Sequence, residues 1–160
     1  MAVRRILRED DDKLRKKAHA VGKIDRRLLA LLKDMAETMY AAEGCGLAAP
    51  QVGIMRRAVV IDVGEGLIEL INPVIIDASG MQSGPEGCLS IPGKKGLVER
   101  PEKVSCTAIN RNGEAFEFTA EGFFARAVCH ELDHLEGQLY TDIMLEEIHD
   151  ADETEEAAHS

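Results

Sequence analysis

The sequence predicts an α+β domain in which antiparallel β-sheets pack around a central α-helix, and three observations lead there. Residues 25–42 and 122–136 carry apolar side chains at the spacing of amphipathic helices. Between them run short β-branched segments punctuated by Gly, Pro and Asn, the pattern of hairpin-connected strands. The second helical segment contains His130-Glu131-Leu132-Asp133-His134, so the helix that would organise the core also bears a candidate metal site.

Taken in order, the charged run Asp11 to Ala18 reads as a short, exposed first helix, with Lys13 to Lys17 on a solvated face. The next helix, Asp25 to about Ala42, places Leu28, Leu31, Leu32, Met35 and Met39 opposite Arg26, Lys33 and Glu37. Asp25 is its expected cap, Ile24 and Leu29 a hydrophobic staple, and Gly44 and Gly46 its stop. Strands Ala58 to Val63 and Leu67 to Ile71 surround Gly64-Glu65-Gly66; Asn72-Pro73 interrupts pairing before Val74 to Ile76 continues extended. Ser79 to Pro85 is small and polar, a predicted loop leading to an extended edge at Glu86-Gly87-Cys88-Leu89-Ser90. Val104 to Ile109 and Ala115 to Phe118 flank Arg111-Asn112-Gly113, a strong hairpin signal. In the last helix, Gly122 to about Glu136, Phe124, Val128, Leu132 and Leu135 form one stripe, expected on the sheet. Phe123, Ala127, His130 and His134 form a second, expected to face a cleft.

Composition narrows the class. A chain of 160 residues, 45% hydrophobic and 30% charged, fits one globular domain, which we place at residues 1–148. No apolar run approaches the ~18 residues of a membrane span, and the N-terminus has no apolar secretory core. Four cysteines without paired spacing fit a reducing cytoplasm. Net charge is −10, and Asp150, Asp152, Glu153, Glu155 and Glu156 make residues 149–160 an acidic tail expected to stay solvated and disordered. That balance disfavours direct nucleic-acid or membrane attachment.

On a helix, His130 and His134 at i and i+4 project from one face at a separation one metal ion can bridge, with Glu131 close enough to serve as base. Catalytic sites of this kind use three protein ligands. Cys88 is the best third candidate, beside Gly87 where another backbone can approach; Cys45, in the Gly-rich turn, stays open. Cys106, inside a hairpin strand, and Cys129, about 100° round the helix from His130, read as core. Asp133 points off the ligand face and is expected in a supporting or solvated role, and His19, His149 and His159 lie elsewhere. Cys with two His suits Fe(II), Ni(II), Co(II) or Zn(II).

Three segments, Gly44-Cys45-Gly46-Leu47-Ala48-Ala49-Pro50-Gln51, Glu86-Gly87-Cys88-Leu89-Ser90 and His130-Glu131-Leu132-Asp133-His134, together resemble the signatures of peptide deformylase, in order, over most of the chain to about residue 145. The resemblance implies a peptide deformylase-like fold and removal of the N-formyl group from the N-terminal methionine of newly synthesised proteins. It implies that Cys88, His130 and His134 hold one divalent metal, Fe(II) in the cell with Zn(II), Ni(II) or Co(II) able to substitute. It further implies Glu131 as general acid and base, with the Gln51 side chain and the Leu89 N–H donating to the oxyanion. Gly44, Gly46 and Gly87 would then offer backbone to the peptide, and Phe123, Arg126 and Ala127 would border the methionine pocket. Glu86 and Arg100 match family positions that could pair behind the metal loop, the alternative being two unrelated surface charges.

Three features depart from the pattern. Cys45 stands where relatives more often have an aliphatic residue. Arg126 stands where they often have an apolar one, and it is expected along the pocket rim with its stem packed and its charge in water. In place of the basic C-terminal helix with which some relatives dock on the ribosome stands an acidic segment, so that association is not expected by this route. The rival readings are a general HExxH metallopeptidase and a nonenzymatic protein with a structural metal.

Overall fold

A computed structural model describes residues 2–149 and the backbone of Ala158 and His159. The predicted acidic, disordered tail falls largely outside the described residues. Helix α1 spans Arg26–Ala41 and α2 spans Phe123–Leu135. The strands are β1 Gly46–Ala48, β2 Ala58–Ile61, β3 Ile68–Ser79, β4 Gln82–Cys88, β5 Ile91–Arg100, β6 Lys103–Ile109, β7 Ala115–Glu121, β8 Glu146–Ile148 and β9 Ala158–His159. They form a five-stranded sheet, β1-β2-β3-β6-β7, and a four-stranded sheet, β8-β5-β4-β9. Pairing is antiparallel except between β4 and β9.

The period-two alternation of strands explains where the helices sit. Every residue of β2 is buried. Val59 and Ile61 join Ala48 and Leu70 in a core with Val128 and Leu135 of α2, with Phe124 and Leu132 packed against it. Ala58 and Val60 join Leu47 and Ile71 in a second core with Leu28, Leu31, Leu32, Met35 and Met39 of α1. The two helices therefore cover opposite faces of the five-stranded sheet, each through the apolar stripe its sequence shows. A third core, Leu14, Cys88, Ile91, Val98, Leu139 and Tyr140, lies against the four-stranded sheet.

Local signals set several boundaries. The Asp25 carboxylate accepts from the Leu28 N–H at 3.0 Å and starts α1. The helix ends through Glu43, which adopts φ 60°, rather than through the glycines after it; the Gly44 N–H then closes the turn on the Met39 carbonyl. At the β6–β7 hairpin the Asn110 side chain accepts from the N–H groups of Asn112 and Glu114.

Other expectations are corrected. The predicted helix from Asp11 to Ala18 is one 3-10 turn, Asp12–Arg15. Beyond it the chain is drawn out by tertiary bonds, Ala18 N–H to Leu135 O and His19 N–H to Met55 O. The predicted loop Ser79 to Pro85 is a turn at Gly80 followed by β4, because β5 supplies a pairing partner from Gln82↔Arg100 to Glu86↔Gly96. The expected interruption at Asn72-Pro73 is present as a register shift against β6 between Ile71 and Val74, with Asn72 at φ 52°, and the strand continues beyond it to Ser79. Among the described residues no helix is long and apolar enough to cross a membrane.

Leu32 is fully buried between α1 and the sheet. Leu32→Ala is expected to destabilise the protein by about 2–5 kcal/mol, read as a lowered urea midpoint at unchanged slope.

Candidate active site

Three chain segments converge. The first is β1 and the 3-10 turn Ala49–Val52 behind it, where the Gln51 Oε1 accepts from the Ala48 N–H at 3.0 Å. This fixes the amide, and Gln51 Nε2 then donates to Ser90 Oγ at 3.1 Å and lies 3.7 Å from Cys88 Sγ. The second is the end of β4, where a register shift against β5 between Glu86 and Cys88 sets Cys88 opposite Ile91. The third is α2, whose one-turn spacing brings His130 and His134 to one face, with ring centroids 5.0 Å apart.

The donor atoms of Cys88, His130 and His134 all lie within 4.8 Å of one another, and all three residues are buried. Cys88 Sγ is 3.4 Å from His134 Nε2. His130 Nδ1 is 2.9 Å from Glu86 Oε1, while its buried Nε2 has no hydrogen-bond partner among the described residues. An imidazole that gives one nitrogen to a carboxylate and keeps the other for an ion is the usual arrangement of a metal-ligating histidine. A thiolate and two imidazoles therefore fit a divalent transition metal.

Glu131, between the histidines, is also fully buried. A Cβ built on Gly46 would lie 2.5 Å from Glu131 Oε2, so β1 leaves room for this carboxylate only because residue 46 has no side chain. The position read as peptide-facing backbone in the sequence thus has a second constraint.

Behind His130 lies a buried ionic cluster. Arg100 donates Nε to Glu86 Oε2 at 2.8 Å and Nη2 to Glu86 Oε1 at 2.9 Å, and its Nη1 reaches Asp133 Oδ2 at 2.7 Å. The pairing of Glu86 with Arg100 is therefore a two-pronged buried contact, not two unrelated surface charges. Asp133 supports the site through Arg100, as its direction off the ligand face implies. Burial alone would raise the Glu86 pKa, but Arg100 and His130 outweigh it and hold the carboxyl well below the usual carboxylate range. Burial likewise works against protonation of His130 but is outweighed by Cys88 and Glu86, whereas burial and the neighbouring His130 depress His134.

Arg126 is the main correction. Its charge is not in water at a pocket rim: the residue is 4% exposed, and Nη1 donates to Glu86 Oε2 at 2.8 Å and Val98 O at 3.0 Å. An apolar rim offers nothing to compensate a guanidinium, whereas Glu86 lies within reach across the helix–sheet interface.

The remaining expected residues are placed as follows. Gly87 is buried in β4, Leu89 is half-buried just past it, and Gly44 is half-buried after α1. Phe123 is 41% exposed, while Ala127 is buried in the core between α2 and the sheet. Cys106 and Cys129 are buried core residues as read, and burial lifts the Cys129 thiol to about 11. Cys45, half-buried, is not in the donor group, nor are His19 and His149. Sequence reasoning missed Ser90, which anchors Gln51, and Tyr140, whose ring stacks on His130 at 6.1 Å. Ser90 lies inside a signature segment and was findable; nothing local marks Tyr140.

The model of the family described as "Polypeptide deformylase" matches residues 3–148. The chain belongs to the polypeptide deformylase family. The peptide deformylase of Alkaliphilus metalliredigens is 56% identical over 147 residues, covering 92% of this chain and 100% of the relative. Peptide deformylase 1 of Clostridium acetobutylicum is 57% identical over 146 residues, covering 91% and 97%. Among solved structures, the peptide deformylase of Thermotoga maritima superposes with a TM-score of 0.87 at 42% identity, covering 89% of this chain and 97% of that one. The antiparallel sheets and few helices are thus those of the peptide deformylase fold. By the same kinship the chain is an enzyme, a hydrolase of protein biosynthesis.

The cluster behind the site makes a stability prediction. Glu86→Gln removes the one anion that both guanidiniums share, leaving buried charge uncompensated. A loss of roughly 3–5 kcal/mol in the metal-free protein is expected, measured by chemical denaturation.

Proposed function

We propose that this chain, with residues 1–148 as its catalytic domain around the α2 helix and 149–160 as an acidic tail, removes the N-formyl group from the N-terminal methionine of newly synthesised polypeptides in the cytoplasm, releasing formate. The observation that carries the reading is the convergence of Cys88, His130 and His134 donors within 4.8 Å, beside a Glu131 carboxylate lodged against Gly46. Cys88, His130 and His134 would hold one divalent ion, Fe(II) in the cell, with Zn(II), Ni(II) or Co(II) able to take its place. Such an ion supplies Lewis acidity for water and for the formyl oxygen.

The chain's own groups carry the remaining work. Glu131 takes a proton from the attacking water and later delivers it to the departing amine. Gln51 can serve the oxyanion because its carbonyl is fixed on Ala48 and one amide hydrogen on Ser90, which leaves the other directed toward Cys88 and the metal position. The Leu89 N–H is the second donor. Gly44, Gly46 and Gly87 offer backbone to an extended peptide, with Phe123 and Ala127 bordering the methionine side chain. Of Arg126 only the stem remains for substrate, since its guanidinium is engaged by Glu86. Family membership weighs against a general HExxH metallopeptidase, and a structural metal would have no use for Glu131 beside its ligands.

Protein purified without oxygen and with its metal quantified should release formate from formyl-Met-Ala-Ser and leave the unformylated peptide uncut. Glu131→Ala should abolish release while retaining metal; activity surviving that substitution would sink the mechanism. Gly46→Ala is expected to lower kcat at least about 100-fold by displacing Glu131, with metal still bound.

A further inference from the structure

The Arg126 guanidinium has no task in the reaction above, yet it occupies the junction between the elements that carry the metal ligands. The ligand set is divided between two bodies. His130 and His134 ride on α2, which packs mainly on β1, β2 and β7 of the five-stranded sheet and touches the other sheet at β5, whereas Cys88 ends β4 in the four-stranded sheet. One turn before His130, Arg126 sends its guanidinium from α2 into the second sheet. Nη1 donates to Glu86 Oε2 at 2.8 Å, to Val98 O at 3.0 Å and to Gly84 O at 3.4 Å, and Nη2 to Gln82 Oε1 at 3.3 Å. One side chain thereby spans β4 and β5.

Arg100 does not duplicate this link. It lies at the end of β5, so its fork on Glu86 closes within the four-stranded sheet and reaches α2 only through the partly exposed Asp133. The Arg126 contact is buried at both ends. The strand is also shaped for it: a Cβ on Gly84 would meet Arg126 Nη2 at 3.0 Å and Cζ at 3.3 Å.

We propose that Arg126 is a positioning residue of the metal centre, which holds the Cys88 strand in register with His130 by clamping Glu86, Val98, Gly84 and Gln82 to α2. The inference rests on the function proposed above. It makes Arg126 a determinant of how tightly, and in what geometry, the chain grips a divalent ion.

Cobalt(II) and zinc(II) affinities, measured by competition with a chromophoric chelator, test this directly. Arg126→Met should weaken both by roughly 10- to 100-fold, the usual cost of losing support behind a metal ligand. The absorption bands of the cobalt-loaded thiolate site should shift, and kcat should fall while KM stays within about twofold. Arg126→Lys, which keeps the charge but loses the fork, should recover part of the affinity. A cation that only held the fold together would lower the unfolding midpoint and leave affinity and spectrum at parent values; that result overturns the proposal. Should Arg126→Met fail to fold, Gly84→Ala decides, since it crowds the guanidinium without removing it: weakened affinity supports the proposal and parent affinity overturns it. Formate release and thiolate-type cobalt bands in the parent protein test the deformylase reading independently of any Arg126 result.

Discussion

The Glu86 carboxylate is the point on which the site depends. Its Oε2 accepts from Arg100 Nε and Arg126 Nη1, and its Oε1 from Arg100 Nη2 and His130 Nδ1, so all four lone-pair positions are used. A buried carboxylate is costly to desolvate, and such a cluster is a poor source of net stability compared with an apolar core of the same volume. What it provides is direction. Glu86 belongs to β4, two residues before Cys88, and its partner ring belongs to α2. A single fully bonded group therefore relates the thiol to the imidazoles, and rotation of His130 away from the site would break a charge-assisted bond with no water to replace it.

The five-stranded sheet provides the complementary constraint. Because β2 is apolar on both faces, α1 and α2 press on it from opposite sides, and neither can shift without opening a core. β1, the edge strand next to it, inherits that rigidity and presents Gly46 to Glu131. The carboxylate proposed as proton carrier is thus set by packing, while the ligand proposed on β4 is set by hydrogen bonds. Apolar packing fixes the depth of α2, and the polar cluster fixes its rotation relative to the second sheet.

The sequence is most readable where structure is local. Both amphipathic helices, the Asp25 cap and the Asn-Gly hairpin are written in spacings of two to seven residues, and the structure follows them. The HExxH pair was legible for the same reason, since i and i+4 on a helix is a local rule. Cys88 could be ranked first but not settled from residues alone, because the register shift that sets its position arises from pairing with β5. That strand carries Pro92, Gly93 and Gly96, which mask it, and without its pairing partner the first half of β4, Gln82 to Pro85, reads as a loop. Arg126 was misplaced for a related reason. A side chain's length and charge are visible in sequence, but the partner that captures it is forty positions earlier in the chain, and only the tertiary fold brings Glu86 to it.

Charge balance links the two layers. Around His130, Glu86 and Asp133 contribute −2 and Arg100 and Arg126 contribute +2, so the supporting cluster of these four side chains sums to zero. The inner layer has the same property in the proposed reaction. A divalent ion, the Cys88 thiolate and the Glu131 carboxylate also sum to zero. When Glu131 takes the proton of the attacking water, its negative charge disappears as the oxyanion's appears, and the total is unchanged. In a buried site, where isolated charge is expensive, this means the chemical step moves charge over a few ångströms without creating any. Such a balance holds only while each layer keeps its own counterions. A second guanidinium behind the site therefore does more than fasten a strand: it balances the negative charge that Glu86 and Asp133 would otherwise leave buried beside Arg100 alone.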